Sequence, residues 1–266
     1  MLSLLTDPLR TLFQYRGILL RTTVGEVRQR YAGSVVGMFW LVISPILLLT
    51  FYSIVYLVIF RVRPASMSEY EYVLYVLSGL VPFLGFSEAL NSGSSSLFLN
   101  KAILLNTVFP SELVPLRAVL ASQGMTVVGL TLMLVATLAL GKLSWTALFV
   151  PVLLVLQLMM VLGIVWLLSL ASLVLRDIQQ VLGFVTMTLL IVSPIAYTPE
   201  MVPGKLKFLI YLNPLSYFVI GFQDIIVFGR HPSGLIMGIT VGLGLISFCV
   251  GFWVFQRVKR VFFDHV

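Results

Sequence analysis

Residues 176–230 read RDIQQVLGFVTMTLLIVSPIAYTPEMVPGKLKFLIYLNPLSYFVIGFQDIIVFGR, and the fold turns on them. Ile178 to Tyr197 is an apolar run of about 20 residues, which as a helix rises about 30 Å and crosses a bilayer core. A second run, Phe208 to Phe228, is similar in length. Asn213-Pro214 interrupts its middle, however, and Gln223-Asp224 sits in its second half. Proline lacks an N–H and biases the residue before it away from helix. Two short helices that enter the membrane and turn back fit these residues better than one crossing. Non-helical backbone at membrane depth is tolerated only where protein or a water-filled cavity covers it. The stretch therefore predicts a re-entrant cap over a pathway.

The rest of the composition agrees with a membrane setting. Hydrophobic residues fill 59% of the 266 positions and charged residues 10%, with a mean hydropathy of +1.07. Soluble domains carry about 25% charged residues. The net charge of +7 comes from basic residues clustered at the ends of apolar runs. That is the positive-inside pattern of a membrane protein and argues against nucleic acid as a partner. The single Cys249 lies in the last apolar run and can form no internal disulfide.

Pro8 to Tyr31 reads as an amphipathic helix. Leu9, Leu12, Phe13, Leu20, Val24, Val27 and Tyr31 share one side, and Arg10, Gln14, Arg21, Gly25 and Arg28 another, with Arg16 and Ile18 departing from the pattern. Its five arginines against Asp7 and Glu26 suit an anionic membrane surface, and the same helix can also touch a cytoplasmic partner. Val35 to Phe60 reads as the first span, kinked at Pro45, and Val73 to Leu90 as the second. Ser92 to Pro115 is too short and polar to cross. It predicts a short interfacial helix begun by Ser94 to Ser96 and ended by Pro110. Leu113 to Leu140 is the third span, Trp145 to Leu175 holds the fourth, the Ile178 run is the fifth, and Leu235 to Phe255 the sixth.

Six spans put both ends on one side. The segments on that side hold eleven Lys and Arg and the opposite loops six, so both termini and the 92–117 segment are expected to be cytoplasmic. A seventh span would carry Arg257, Lys259 and Arg260 across the membrane, which again favours the cap. No apolar segment with a small-residue cleavage site precedes the first span, so no cleavable signal is expected.

Catalytic groupings are missing from the pattern. The two histidines, His231 and His265, lie in a loop and at the end. No His, Asp or Glu set shares a helix face at metal-ligand spacing. The glycine beside Ser92 to Ser96 lacks the lysine that a phosphate-binding loop requires. Neither a metal nor a cofactor is expected on this chain. The span centres also lack the ionisable residues that couple transport to ions. Glu88 lies near the cytoplasmic end of the second span. Asp224 lies in the cap, with Lys205, Lys207 or Arg230 as its candidate partner. Energy is therefore expected from outside the chain, applied through the 92–117 segment. Tyr52, Tyr56, Phe60, Tyr197, Tyr211, Tyr217 and Phe222 fall at or near the outer ends of spans and in the cap. An interfacial aromatic belt accounts for any one of them. Together they can also line a path along which sugar rings slide.

Several pieces stand in an order that identifies a family. They are Arg30-Tyr31-Ala32-Gly33-Ser34-Val35-Val36-Gly37 with Trp40 and Pro45; Asn100 followed by Phe109-Pro110-Ser111-Glu112 and Pro115; Arg176-Asp177-Ile178; Ser193-Pro194-Ile195-Ala196-Tyr197; and Asn213-Pro214-Leu215. This ordered set resembles the permease subunits of ABC exporters for surface polysaccharides: lipid-linked O-antigen, capsule and teichoic acid. The resemblance spans nearly the whole chain. It implies a homodimer paired with two copies of a separate ATPase subunit, which would bind the ATP. Leu97, Asn100, Lys101, Ile103 and Leu104 would belong to the helix that docks on that ATPase, with the N-terminal helix as a second contact. Spans one and five would line the channel and its lateral opening. Leu105-Asn106 departs from the basic residues many relatives carry there, implying a less charged docking surface.

The expectation is an all-α integral membrane protein of six spans. Residues 1–34 form the N-terminal helix, 35–256 the transmembrane domain and 257–266 a cytoplasmic tail. Within the domain, 92–112 is the coupling segment and 198–232 the outer hairpin. The expected role is export of a lipid-linked polysaccharide across the cytoplasmic membrane. A drug-like or lipid cargo on the same architecture is the alternative. A membrane enzyme and a passive channel are the readings from other classes.

Overall fold

The computed structural model describes residues 10–11, 13–56, 67–101, 110–175 and 177–263, the side chains of 260–263 excepted. The described chain is helical throughout, without strands. In order, the helices are α1 (Arg16–Arg30), α2 (Trp40–Ile54), α3 (Glu69–Leu99), α4 (Leu113–Ser122), α5 (Gly124–Ala139), α6 (Val150–Ala171), α7 (Ile178–Val192), α8 (Lys207–Leu212), α9 (Pro214–Ile226) and α10 (Gly234–Phe263). Short 3-10 turns precede α2, α6 and α8. Five of the helical segments are long and apolar enough to cross a membrane: Gly37–Ile54, α3, Leu113–Ala139, Trp145–Ala171 and Gly234–Lys259.

The core is built around α3. Ser68 accepts a hydrogen bond from the Glu71 N–H and the Glu71 carboxylate accepts one from the Ser68 N–H, a reciprocal cap that starts the helix. Of its apolar stretch 83% is buried, against 6% for the segment containing α2. Helices α4, α5, α6 and α9 all pack on α3. Pro82 lies inside it, and the buried Gln157 amide of α6 donates to the Pro82 carbonyl at 2.8 Å. Such a bond crosses between helices where no water competes.

The tightest helix pair is α6 with α10. A Cβ on Gly163 would fall on the Ser247 carbonyl, and one on Gly251 would fall on the Gly163 backbone. Helices in lipid gain little from the hydrophobic effect, so close backbone approach through small residues does much of the packing. Farther along, Trp166 meets Phe248 at a tilt and Phe252 edge-on, at centroid distances of 5.3 and 5.1 Å.

Three local expectations change. Ser94 to Ser96 do not begin a helix, because α3 runs unbroken through them to Leu99. Their hydroxyls bond back to the Asn91, Ser92 and Gly93 carbonyls, which satisfies them inside a helix. Gly93 meanwhile lets Val119 and Val165 close in on the same stretch. The fifth span is shorter than expected. Helix α7 stops at Val192, about 22 Å long at 1.5 Å per residue. Ser193 turns to extended backbone at the Pro194 that follows. The tail expected at 257–266 is continuous with the last helix at least to Phe263.

The break at Asn213-Pro214 stands where the sequence places it. The segment Gly204–Leu212 and helix α9 meet at 95°. Asn213 has extended backbone; its side-chain oxygen accepts from the Leu215 N–H at 2.9 Å and its amide donates to Ser193 Oγ at 2.8 Å. One side chain thus caps α9 and ties the bend to the end of α7.

Candidate translocation and coupling surfaces

At the end of the bundle that carries the bend, residues 193–197 form a non-helical strip, three of whose carbonyls are claimed by side chains. Tyr72 Oη donates to the Ala196 carbonyl at 2.8 Å, Tyr75 Oη to that of Tyr197 at 3.2 Å, and Gln223 Nε2 to that of Pro194 at 2.9 Å. Two donors come from α3 and one from α9. Backbone at membrane depth needs such partners. Tyr197 itself donates to the Val192 carbonyl at 2.6 Å.

Tyr52 and Tyr56 stack at a centroid distance of 6.3 Å, and Tyr56 meets Tyr72 edge-on at 5.8 Å. This aromatic ladder runs from α2 to α3 and ends at the 193–197 strip. Tyr52, Tyr56 and Tyr197 are therefore brought to one neighbourhood. Tyr211 and Tyr217 lie on the cap, where Tyr217 Oη donates to the Tyr211 carbonyl at 2.8 Å. Phe222 is a correction. It is fully buried at 0% exposure, so it serves the helix core and shows no ring to a pathway. Phe60 lies outside the described residues. Tyr72 and Tyr75 stand at the start of the second span, yet nothing in the sequence says what they face. Their alignment with the strip depends on how α3 and α7 meet.

Helices α2 and α7 are among those that leave long apolar faces uncovered within this chain. Helix α2 exposes Val42, Ile46, Leu47 and Phe51; α7 exposes Val181, Phe184, Met187 and Ile191.

The opposite end of the bundle carries a chain of charges. Arg30 of α1 contacts Glu88 at 3.1 Å and donates to Ser92 Oγ at 2.6 Å, both on α3. Glu26 of α1 pairs with Arg117 of α4 at 2.6 Å, and Arg117 donates to Asn100 Oδ1 at 3.2 Å. Helix α1 is thereby clamped to both helices that flank residues 102–109; over Arg16–Arg30 its apolar residues do not gather on one face, and Leu19 is its buried one. Glu112, just beyond that segment, accepts from Lys259 at 2.8 Å and from Gln256 at 3.1 Å, while its carbonyl accepts from Trp166 Nε1. Burial alone would raise the Glu112 carboxyl, but the bonds and charge from Lys259, with help from Gln256, hold it below the usual carboxylate value. Ser172 and Gln179 donate to the carbonyl and hydroxyl of Ser94, tying in the ends of α6 and α7.

The residues expected to dock an ATPase divide on inspection. Leu97 is wholly buried and cannot be a contact. Asn100 is held by Arg117 and by its own bond to the Ser96 carbonyl, so it positions the segment. Lys101 is exposed. Ile103 and Leu104 lie outside the described residues. Among the described residues no group of three or more metal-binding side chains comes together.

The sequence profile of ABC-2 type transporters matches residues 19–227, most of the chain from α1 to the end of α9. The chain belongs to the ABC-2 type transporter family. Its similar relatives include an O-antigen export system permease protein RfbA of Myxococcus xanthus, 24% identical over 260 residues, 97% of this chain and 98% of that protein. Two RfbA permeases of Klebsiella pneumoniae are 25% identical over 248 residues and 26% over 251, each covering 92% of this chain and 93% of theirs. Membership makes this ABC-2 chain a membrane transport component rather than a catalyst.

Proposed function

We propose that this chain is the permease of an exporter that moves a lipid-linked, O-antigen-like polysaccharide outward across the cytoplasmic membrane. The observation that carries the reading is the near-full-length similarity to three O-antigen export permeases. The bundle supports it with a bent cap and an aromatic ladder at one end and the clamped helix α1 at the other. A homodimer would close the uncovered faces of α2 and α7 around the path. A separate ATPase would dock beside α1 and the 92–112 segment, where Lys101 is an exposed contact and Ile103 and Leu104 are the apolar ones. Both termini then face the cytoplasm.

Deletion of the chain tests the function. Surface polysaccharide should disappear and carrier-linked polymer should build up inside the cell, with both reversed by the restored gene. Unchanged surface polymer without internal build-up would overturn the reading. The cap has its own test. Tyr211→Cys should react with a membrane-impermeant thiol reagent added outside intact cells, and labelling only from the cytoplasmic side would sink the orientation.

A further inference from the structure

A cavity of about 510 Å³ opens at the cap end, between the start of α3, the 198–201 turn and the end of α9. This volume falls within the roughly 300–1,000 Å³ of small-molecule sites. Its lining combines Tyr75, Glu200, Gln223, Asp224, Phe228 and Arg230. The charges are arranged unevenly. Arg230 reaches Asp224 Oδ1 through Nε at 2.8 Å and Nη2 at 2.7 Å, so both contacts fall on one oxygen. Among the described residues Asp224 Oδ2 accepts no hydrogen bond, although the side chain is only 5% exposed. Gln223 is also buried, and its Nε2 is spent on the Tyr75 and Pro194 carbonyls, which fixes the amide and turns Oε1 the other way. Glu200 adds an exposed carboxylate at the rim.

The cavity is therefore rich in acceptors with spare lone pairs. It calls for a ligand that brings several donors. A cation would meet the Arg230 guanidinium already seated on Asp224, which disfavours it. Phe228, gripped by Arg230 at 4.9 Å and edge-on to Tyr75 at 6.0 Å, adds an aromatic wall that a bare ion has no use for. Vicinal hydroxyls beside an apolar ring face satisfy both features. Hydroxyl-to-carboxylate bonds are the strong, charge-assisted kind.

We propose that this cavity is a saccharide subsite for a neutral hexose unit, using Asp224, Gln223 and Glu200 as acceptors and Phe228 as the platform. The inference rests on the export reading for its source of ligand, the polymer leaving beneath the cap. Arg230 is then a positioning residue, since it acts by orienting Asp224.

The purified full chain in lipid nanodiscs is titrated with methyl glucoside, methyl galactoside and methyl mannoside, followed by saturation-transfer NMR, with calcium chloride in a parallel arm. At least one hexoside should bind. Glu200→Gln and Phe228→Ala should each weaken it by about tenfold, equal to about 1.4 kcal/mol. Both changes keep Asp224 and Arg230 in the chain, although Phe228→Ala also removes the ring beneath Arg230, and unchanged thermal unfolding of both variants separates site loss from misfolding. Asp224→Asn should lose the hexoside even where folding is retained. No hexoside binding, equal binding by all variants, or protection by calcium alone would overturn the subsite. The deletion experiment on polymer export is independent of these titrations, so failure of the subsite and failure of the export reading are told apart.

Discussion

Asn213 carries two jobs with one amide. Its oxygen caps α9 and its nitrogen reaches Ser193, so the angle of the cap and the end of α7 depend on the same side chain. Replacing a capping Asn by Ala costs about 0.5–2 kcal/mol. Asn213→Ala should lower the unfolding temperature in detergent, and Asn213→Asp, which keeps the acceptor and loses the donor, should recover part of the loss. Equal behaviour of the two variants would show that the oxygen cap on α9 contributes nothing. Asp224 shows both the reach and the limit of the sequence at this scale. The oddity of a carboxylate in an apolar run was legible, and Arg230 was among its three candidate partners. The choice came from geometry, because Arg230 follows the end of α9 and folds back six positions onto it. Phe222 went the other way. Aromatic character near a span end does not reveal which side of the helix faces the core.

Among the helices, the α6–α10 pair shows how much rests on hydrogen atoms in place of methyl groups. A Cβ at Gly251 would strike the backbone of Gly163, which has no side chain to move aside. Overpacking typically costs about 1–3 kcal/mol, and a backbone collision sits at the upper end. Gly251→Ala should destabilise the protein in detergent, whereas Gly238→Ala, on the same helix with nothing within 4 Å of the added carbon, should not. Matching melting curves for the two would remove the close crossing from the account. Helix positions were largely legible in the sequence, since long apolar runs leave few alternatives. Helix ends were less so. The Ser68-x-x-Glu71 signature was present and went unread. Three consecutive serines suggested a start where the helix in fact continues. Pro194 shortened α7 by turning Ser193 out of the helix, a local effect that overrode the apolar run through Tyr197.

At the level of the assembled bundle, burial is graded from helix to helix, with α3 at one extreme and the segment containing α2 at the other. Helix α3 is enclosed on nearly all sides, while α2 and α7 each present a row of bulky apolar residues outward. Lipid covers such faces in any membrane protein, so exposure alone does not define an interface. The homodimer proposed above uses them. A charge introduced at its centre is then the informative change. Phe184→Arg, at a residue 76% exposed in the single chain, should convert a dimer to a monomer by light scattering of the purified protein. Lys142→Glu, on a loop paired with Glu71, should leave the dimer intact. A dimer that survives Phe184→Arg would place the interface elsewhere. The overall architecture was visible from composition and charge bias. The clamp that joins α1 to α3 and α4 was not. Glu26, Arg30, Glu88 and Arg117 are scattered along the chain and meet only after the helices pack.

The non-helical strip at residues 193–197 also bears on electrical insulation. A row of open carbonyls is how potassium channels replace the water around a cation. Here the carbonyls of Pro194, Ala196 and Tyr197 already have donors, so they offer a dehydrated ion less to bind. An exporter of the kind proposed above has to keep the membrane charged between cycles, and carbonyls already held by donors serve that end. Tyr72→Phe combined with Gln223→Leu strips the Ala196 and Pro194 bonds. Liposomes holding this double variant should lose an imposed potassium diffusion potential faster than wild type, as read by a voltage-sensitive dye. Equal decay rates would mean that the seal is made by other parts of the protein.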